Sequence, residues 1–107
     1  MARVVETAIL NPLEGKTRAQ QITRLKEWKK YFLTTGADKI VVHEVGPGNI
    51  DGAWIFTIHH KDATSYGKTY DEYYKNPKSH DEINAKWQKA PVFNFKSFAV
   101  TFEVEEI

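Results

Sequence analysis

Alternating apolar positions predict four β-strands in this chain. The segments concerned are short, rich in β-branched and aromatic side chains, and bounded by turn residues. They are residues 3–10, 39–45, 53–60 and 92–106. The last of them alternates most regularly, with Phe98, Val100, Phe102 and Val104 on one face.

A helix is predicted between the first two strands. Residues 17–35 carry an apolar stripe with steps of three, three and four residues: Ile22, Leu25, Trp28 and Phe32. This spacing predicts an amphipathic helix. Thr17 is expected to cap its start, and Gly36 follows its last turn.

A second helical region follows the third strand and is predicted to be broken. Asp62 is placed as an N-cap, and Tyr66 and Tyr70 recur at helical spacing. The Asn76-Pro77 pair interrupts the helix, because proline disfavours helical backbone at the residue before it and fits the first turn of a new helix. A second piece containing Trp87 then runs to Pro91.

The resulting order, β-α-β-β-α-β, is the ferredoxin-like pattern of the α+β class. It predicts one domain over residues 1–107, with a four-stranded antiparallel sheet and helices on one face. The strands place apolar residues on both faces of the sheet. In the third strand, Trp54, Phe56 and Ile58 lie on one face and Ile55 on the other. A sheet that is apolar on both faces needs a cover on both. A second copy of the chain is the simplest second cover, so we expect a homodimer.

The composition of the chain excludes several classes of function. The 107 residues contain 15 Lys and Arg against 14 Asp and Glu, which argues against binding nucleic acid through bulk charge. Cysteine is absent, which excludes thiolate catalysis and cysteine-based zinc sites. The four histidines lack metal-ligand spacing, so no metal site is expected. No apolar run is long enough to span a membrane and the first residues do not form a signal peptide, so we expect a cytoplasmic protein.

The central part of the sequence resembles the dimeric α/β-barrel superfamily of ferredoxin-like proteins, and within it NIPSNAP-like domains and related small bacterial proteins of unknown function. The resemblance covers residues 37–90. It is carried by Gly46-Pro47-Gly48, Trp54–Ile58, Asp62–Gly67, Tyr70-Asp71-Glu72, Asn76-Pro77 and Ala85-Lys86-Trp87. It implies two subunits with their sheets back to back. The superfamily also contains antibiotic-biosynthesis-type monooxygenases and haem-handling enzymes, but their catalytic residues have no match here.

Aromatic side chains on the helices, above threonines and small aliphatic residues on the strands, predict a small-molecule pocket between sheet and helices. A plain aromatic core is the alternative. His43 and His59 lie on adjacent strands and are expected to share a face. The predicted ligand-binding residues are Thr7, Trp28, His43, His59, Tyr66, Tyr70 and Trp87.

The leading hypothesis is a homodimer that holds an apolar or amphiphilic molecule with a long carbon body and one polar end, without a cofactor. The alternative is a cofactor-independent monooxygenase, with His43, His59, Tyr66 or Tyr70 as proton acceptor. A haem-degrading enzyme is a third possibility. In some resembling enzymes a histidine of the second helix binds haem, and His80 is the weak candidate for this role here, because its polar neighbours predict an exposed first turn.

Overall fold

The computed structural model describes residues 2–48 and 52–107. The predicted order of elements is confirmed, with the second helical region divided in two. The elements are β1 (Val4–Pro12), α1 (Arg18–Thr34), β2 (Lys39–Glu44), β3 (Trp54–His60), α2 (Ala63–Lys75), α3 (Pro77–Lys89) and β4 (Phe93–Phe102). Residues 49–51 of the predicted loop between β2 and β3 lie outside the described part.

The four strands form one antiparallel sheet in the order β2-β3-β1-β4. Within it, Ala8 of β1 lies opposite Phe56 of β3 on one side and Phe98 of β4 on the other. Burial alternates along β1 and β3, and the even-numbered residues are the buried ones. These side chains face the helices and form the core with Leu25 of α1, so the sheet has a helix face and an open face.

Strand β4 is shorter than predicted, and a bulge interrupts its alternation, although Phe98, Val100 and Phe102 share a face as predicted. It ends at Phe102, because β1 begins at Val4; one further bond joins the Glu103 amide to the Arg3 carbonyl at 2.9 Å. The pairing with β1 also shifts between Ile9 and Leu10, which is a β-bulge. Because of the bulge, Phe95 and Phe98 both face the helices although they are three residues apart.

Helix α1 begins and ends where the sequence predicts. The Thr17 hydroxyl accepts a hydrogen bond from the Gln20 amide, and the Gln20 side chain accepts one from the Thr17 amide, which completes a capping box. Gly36 follows with φ of +115°, a left-handed conformation that favours glycine. Leu25 is buried, and the rest of the predicted stripe packs around the core.

The break between α2 and α3 falls at Asn76-Pro77, as predicted. The Asp62 carboxylate caps α2 by accepting a hydrogen bond from the Ser65 amide at 2.8 Å. Helix α2 contains no buried residue, whereas Arg24 and Leu25 of α1 are buried. Helix α2 is therefore held less firmly against the sheet than α1.

None of the described helices is long and apolar enough to cross a membrane.

Candidate functional site

A cavity of about 270 Å³ lies between the sheet and helices α1 and α3. Its floor is formed by helix-face side chains of the two central strands, Ala8 and Leu10 from β1 with Phe56 and Ile58 from β3. Ala8 is the small residue of this floor, and the space above it is part of the cavity. The volume lies just below the range of roughly 300–1,000 Å³ that is typical of small-molecule sites.

Trp28 of α1 is the central ring of the cavity wall. Its ring centroid lies 6.0 Å from those of Phe56 and Trp87, in edge-to-face geometry with both. It lies 5.6 Å from the ring of Phe93 and stacks on Phe95 at 5.8 Å. These contacts fix the indole between the sheet and α3.

The β4 side of the cavity is only partly covered. Phe95 and Phe98 line it, yet they remain 64% and 54% exposed because no described helix covers the outer half of β4. Phe102, farther along the same face, is 58% exposed. The cavity therefore opens along a strip of exposed aromatic rings on the edge strand.

Three polar side chains border the cavity, all from the helices: Arg24, Asn84 and Gln88. Arg24 is buried, and its guanidinium donates to the carbonyl oxygens of Trp87 at 3.5 Å and Ala90 at 2.8 Å. It thereby caps the last turn of α3. The described lining contains no His, Tyr, Asp or Glu side chain.

Of the predicted ligand-binding residues, Trp28 and Trp87 line this cavity. The prediction that Thr7, His43 and His59 form its floor is wrong. Their neighbours in sequence point toward the helices, so these three side chains belong to the open face of the sheet. His43 and His59 do share that face, but they lie at opposite ends of the β2–β3 pairing, His43 opposite Ile55 and His59 opposite Lys39.

Tyr66 and Tyr70 border a different site, which the sequence analysis missed. Buried His60 donates from Nε2 to the Glu6 carboxylate at 2.8 Å, and the Tyr70 hydroxyl donates to the other carboxylate oxygen at 3.4 Å. The Tyr66 ring packs on both His60 and Tyr70. The sequence feature that could have indicated this site is Glu6, a charged residue on the same face of β1 as the core residues Val4, Ala8 and Leu10.

The protonation of Tyr70 follows from these surroundings. Burial raises the pKa of its hydroxyl well above the usual 10, and a hydrogen bond with Tyr66 and the nearby Glu6 carboxylate act in the same direction. Tyr70 therefore stays a neutral hydrogen-bond donor. Glu6 lies next to cavity residue Ala8 on the same face of β1, but it is not part of the cavity lining.

His80 is placed poorly for binding haem. The prediction of an exposed first turn is wrong, because the residue is only 8% exposed. Its ring lies between those of Tyr31 and Tyr73, with centroids 5.3 and 4.4 Å away, and its Nε2 is 3.4 Å from the Tyr31 hydroxyl. The packing leaves no room for a porphyrin at this ring, so the residues do not fit the group.

Within residues 2–48 and 52–107, no three His, Cys, Asp or Glu side chains come together in a way that could hold a metal ion.

Comparisons with known proteins place the chain by fold. No protein-family model and no curated protein matches the sequence. Among solved structures, a dimeric ferredoxin-like protein from an uncultured marine organism superposes with a TM-score of 0.63 at 16% identity, over 100% of both chains. The structural-genomics protein YJCS gives a TM-score of 0.60 at 10% identity, over 92% of this chain and 96% of that one.

A protein proposed to be a chlorite dismutase also superposes, with a TM-score of 0.54 at 12% identity, over 100% of this chain and 46% of the other. These similarities and the observed topology show a ferredoxin-like α+β fold. The neighbours named here carry no NIPSNAP description, and that part of the resemblance remains a prediction.

Proposed function

We propose that this protein is a homodimer that binds a small apolar or amphiphilic molecule in the cavity between its sheet and helices. The observation that carries the proposal is the cavity itself, which is walled by aromatic rings and open along β4. Trp28 and Trp87 are its central contacts. An apolar lining with a few polar groups at one side suits a carbon body with one polar end.

Binding without turnover is favoured over the monooxygenase alternative. A monooxygenase without a cofactor needs a proton acceptor beside its substrate. Three of the four predicted proton acceptors lie outside the cavity. His43 and His59 are on the open face of the sheet, and the Tyr70 hydroxyl donates a hydrogen bond to the Glu6 carboxylate. The fourth, Tyr66, packs on His60 outside the cavity.

The open face of the sheet supports the homodimer. Val5, Thr7, Ile9 and Ile55 stay half-buried on this face, and no described element of the chain covers them. A structural neighbour that matches over its full length is described as dimeric. Such a face of threonines and aliphatic residues can pack on a copy of itself across a two-fold axis.

Filling the cavity tests the binding proposal. The Ala8→Leu variant places extra carbon atoms in the empty space above the floor, so it should abolish quenching of tryptophan fluorescence by decanol or decanoate without lowering the melting temperature. The matched control is Ala85→Leu, at an exposed position of α3 outside the lining. If Ala8→Leu binds both probes as the unmodified protein does, the proposed binding site is wrong.

Light scattering tests the dimer, with twice the 12.3 kDa chain mass expected. The Ile9→Lys variant puts a charge in the middle of the open face and should give a monomer. Phe102→Lys makes a comparable change on the helix face, where the residue is already 58% exposed, and should leave the dimer intact. A monomeric unmodified protein at micromolar concentration contradicts the dimer.

A further inference from the structure

The polar side of the cavity centres on a buried cation with an unused donor. Arg24 is 8% exposed, and the carbonyl oxygens of Trp87 and Ala90, at the end of α3, accept hydrogen bonds from its terminal nitrogens. Its Nε is buried and has no hydrogen-bond partner in the described structure. A guanidinium carries five N–H donors, and the buried Nε–H is one that the described protein leaves without a hydrogen bond.

One acidic side chain lies close to Arg24 without satisfying it. The nearest Glu27 carboxylate oxygen is 3.7 Å from Nε, too far for a hydrogen bond. Glu27 also accepts a hydrogen bond from the Trp87 indole at 3.4 Å, and its side chain is 37% exposed. It offsets part of the charge of Arg24 but leaves its buried N–H group unpaired, which is costly in an apolar setting.

The position of Arg24 also suits the polar end of an amphiphile. The residue lines the cavity on one side and a shallow surface depression with Lys16 and Glu27 on the other. A polar group at Arg24 therefore sits at the boundary with water, while the cavity floor is apolar. Asn84 and Gln88, one helical turn apart on α3, add amide donors at the same cavity.

We propose that the ligand is a carboxylic acid of modest length, held with its carboxylate at Arg24 and its carbon chain between Trp28 and the floor at Ala8. This inference rests on the proposed binding function and adds the class of the ligand. A guanidinium fork matches a carboxylate in two parallel hydrogen bonds, which is why arginine serves such sites. The small volume selects a single chain or ring.

A comparison of two probes with the same carbon body tests the head group. Decanoate and decanol are titrated into the unmodified protein, with tryptophan fluorescence and calorimetry as readouts. Decanoate should bind at least about tenfold more tightly, as expected for a charge-assisted hydrogen bond. Equal affinity would overturn the carboxylate proposal while leaving the cavity as a binding site. Failure of both probes to bind would overturn the proposed binding function itself.

Two variants of opposite expected effect sharpen the test. Arg24→Gln should remove the preference for decanoate, whereas Glu27→Gln should increase it, because the competing carboxylate is gone and the amide can still accept from Trp87. The matched control is Arg18→Gln, on the same helix, where the arginine pairs with Glu44 at the surface. This control should keep the preference unchanged.

Arg24 also caps α3, so Arg24→Gln is first checked by circular dichroism. If that variant does not fold, the response of Glu27→Gln and the two-probe comparison still decide the matter. A Glu27→Gln variant with unchanged or weaker decanoate binding would contradict a carboxylate at Arg24.

Discussion

At the scale of single residues, the buried Glu6–His60 pair is a site where substitution of one side chain should strongly destabilise the fold. Both side chains are almost completely buried, and the imidazole donates to the carboxylate at 2.8 Å. The His60 Nδ1 has no hydrogen-bond partner within the described structure. Such a pair contributes little by itself, but removal of one member leaves the other buried without a partner.

Replacement of Glu6 by Leu should therefore lower the free energy of unfolding by roughly 3 kcal/mol. The double variant with His60→Leu should recover most of that loss, because both polar groups are then gone. Urea denaturation measures the free energy of unfolding of the unmodified protein, the single variant and the double variant. Tyr70→Phe is the control and should cost less than about 1 kcal/mol, since it removes one long hydrogen bond at a partly exposed side chain. A fully destabilised double variant would show that the pair itself stabilises the fold.

At the scale of elements, α1 and α2 differ in how they are held. Helix α1 contributes Leu25 to the core, whereas α2 has no buried residue and relies on its cap and on contacts of its tyrosines. The Ser65 backbone N–H, which donates to the Asp62 carboxylate, lowers the pKa of that group. The cap is therefore fully present above the usual carboxyl range and is lost as the pH falls through the lowered value.

The Asp62→Ala variant should increase amide hydrogen exchange in the first turn of α2 and leave exchange in the sheet unchanged. Acidification of the unmodified protein through the lowered pKa of Asp62 should reproduce this effect. By contrast, Thr17→Ala should lower global stability by about 1 kcal/mol, because α1 is part of the core. Equal exchange changes in the sheet and in α2 after Asp62→Ala would show that α2 unfolds only with the whole domain.

The elements themselves could be predicted from the sequence, but the face that each strand turns to the helices could not. In β1, apolar side chains occur on both faces of the strand, so alternation alone did not show that Thr7 lies on the open face while Glu6 is buried on the helix face. His60 offsets the burial of Glu6 from 54 residues away. That pairing depends on strand register, which local pattern does not determine.

The bulge in β4 also prevented the sequence pattern from showing which side chains face the cavity wall. Simple alternation separates Phe95 from Phe98, yet the extra residue between the paired positions brings both rings to the helix face. Trp28 and Trp87 line the cavity, and their role in ligand binding stays a prediction. Their helix faces could be assigned because helical spacing fixes the face of a helix more firmly than alternation fixes that of a strand. Arg24 lies beside the apolar stripe of α1 and was missed because its partners, the carbonyl oxygens of Trp87 and Ala90, are more than 60 residues away in sequence.

At the scale of the whole molecule, the layered arrangement determines the two proposed interactions. The helix face of the sheet holds the cavity, and the proposed dimer would use the open face. The open face carries a titratable side chain at one end, where the His59 Nε2 lies 2.9 Å from the Thr57 hydroxyl oxygen. That hydroxyl donates to the Val41 carbonyl, so the imidazole Nε2–H is the donor in this contact.

Acidification should weaken the proposed dimer through His59. Burial lowers the pKa of its imidazole from the usual 6.5, and the positive charges of Lys39 and Arg3 act in the same direction. For association the reference state is the free protomer. A histidine whose pKa falls further in the dimer favours association above its pKa in the free protomer, and this contribution is lost as the pH falls through the lower pKa in the dimer. Because the partner would bury His59 further, the dissociation constant should rise at least about tenfold between about pH 8 and pH 5.

Sedimentation equilibrium over this pH range measures the effect. His59→Gln, which keeps a donor for Thr57 but cannot titrate, should flatten the pH dependence. His43→Gln is the matched control, because His43 lies at the exposed end of β2 and should leave most of the slope in place. A dimer that dissociates equally at all pH values, or one whose pH dependence survives in His59→Gln, would show that the open-face end at His59 stays outside the contact between the two copies.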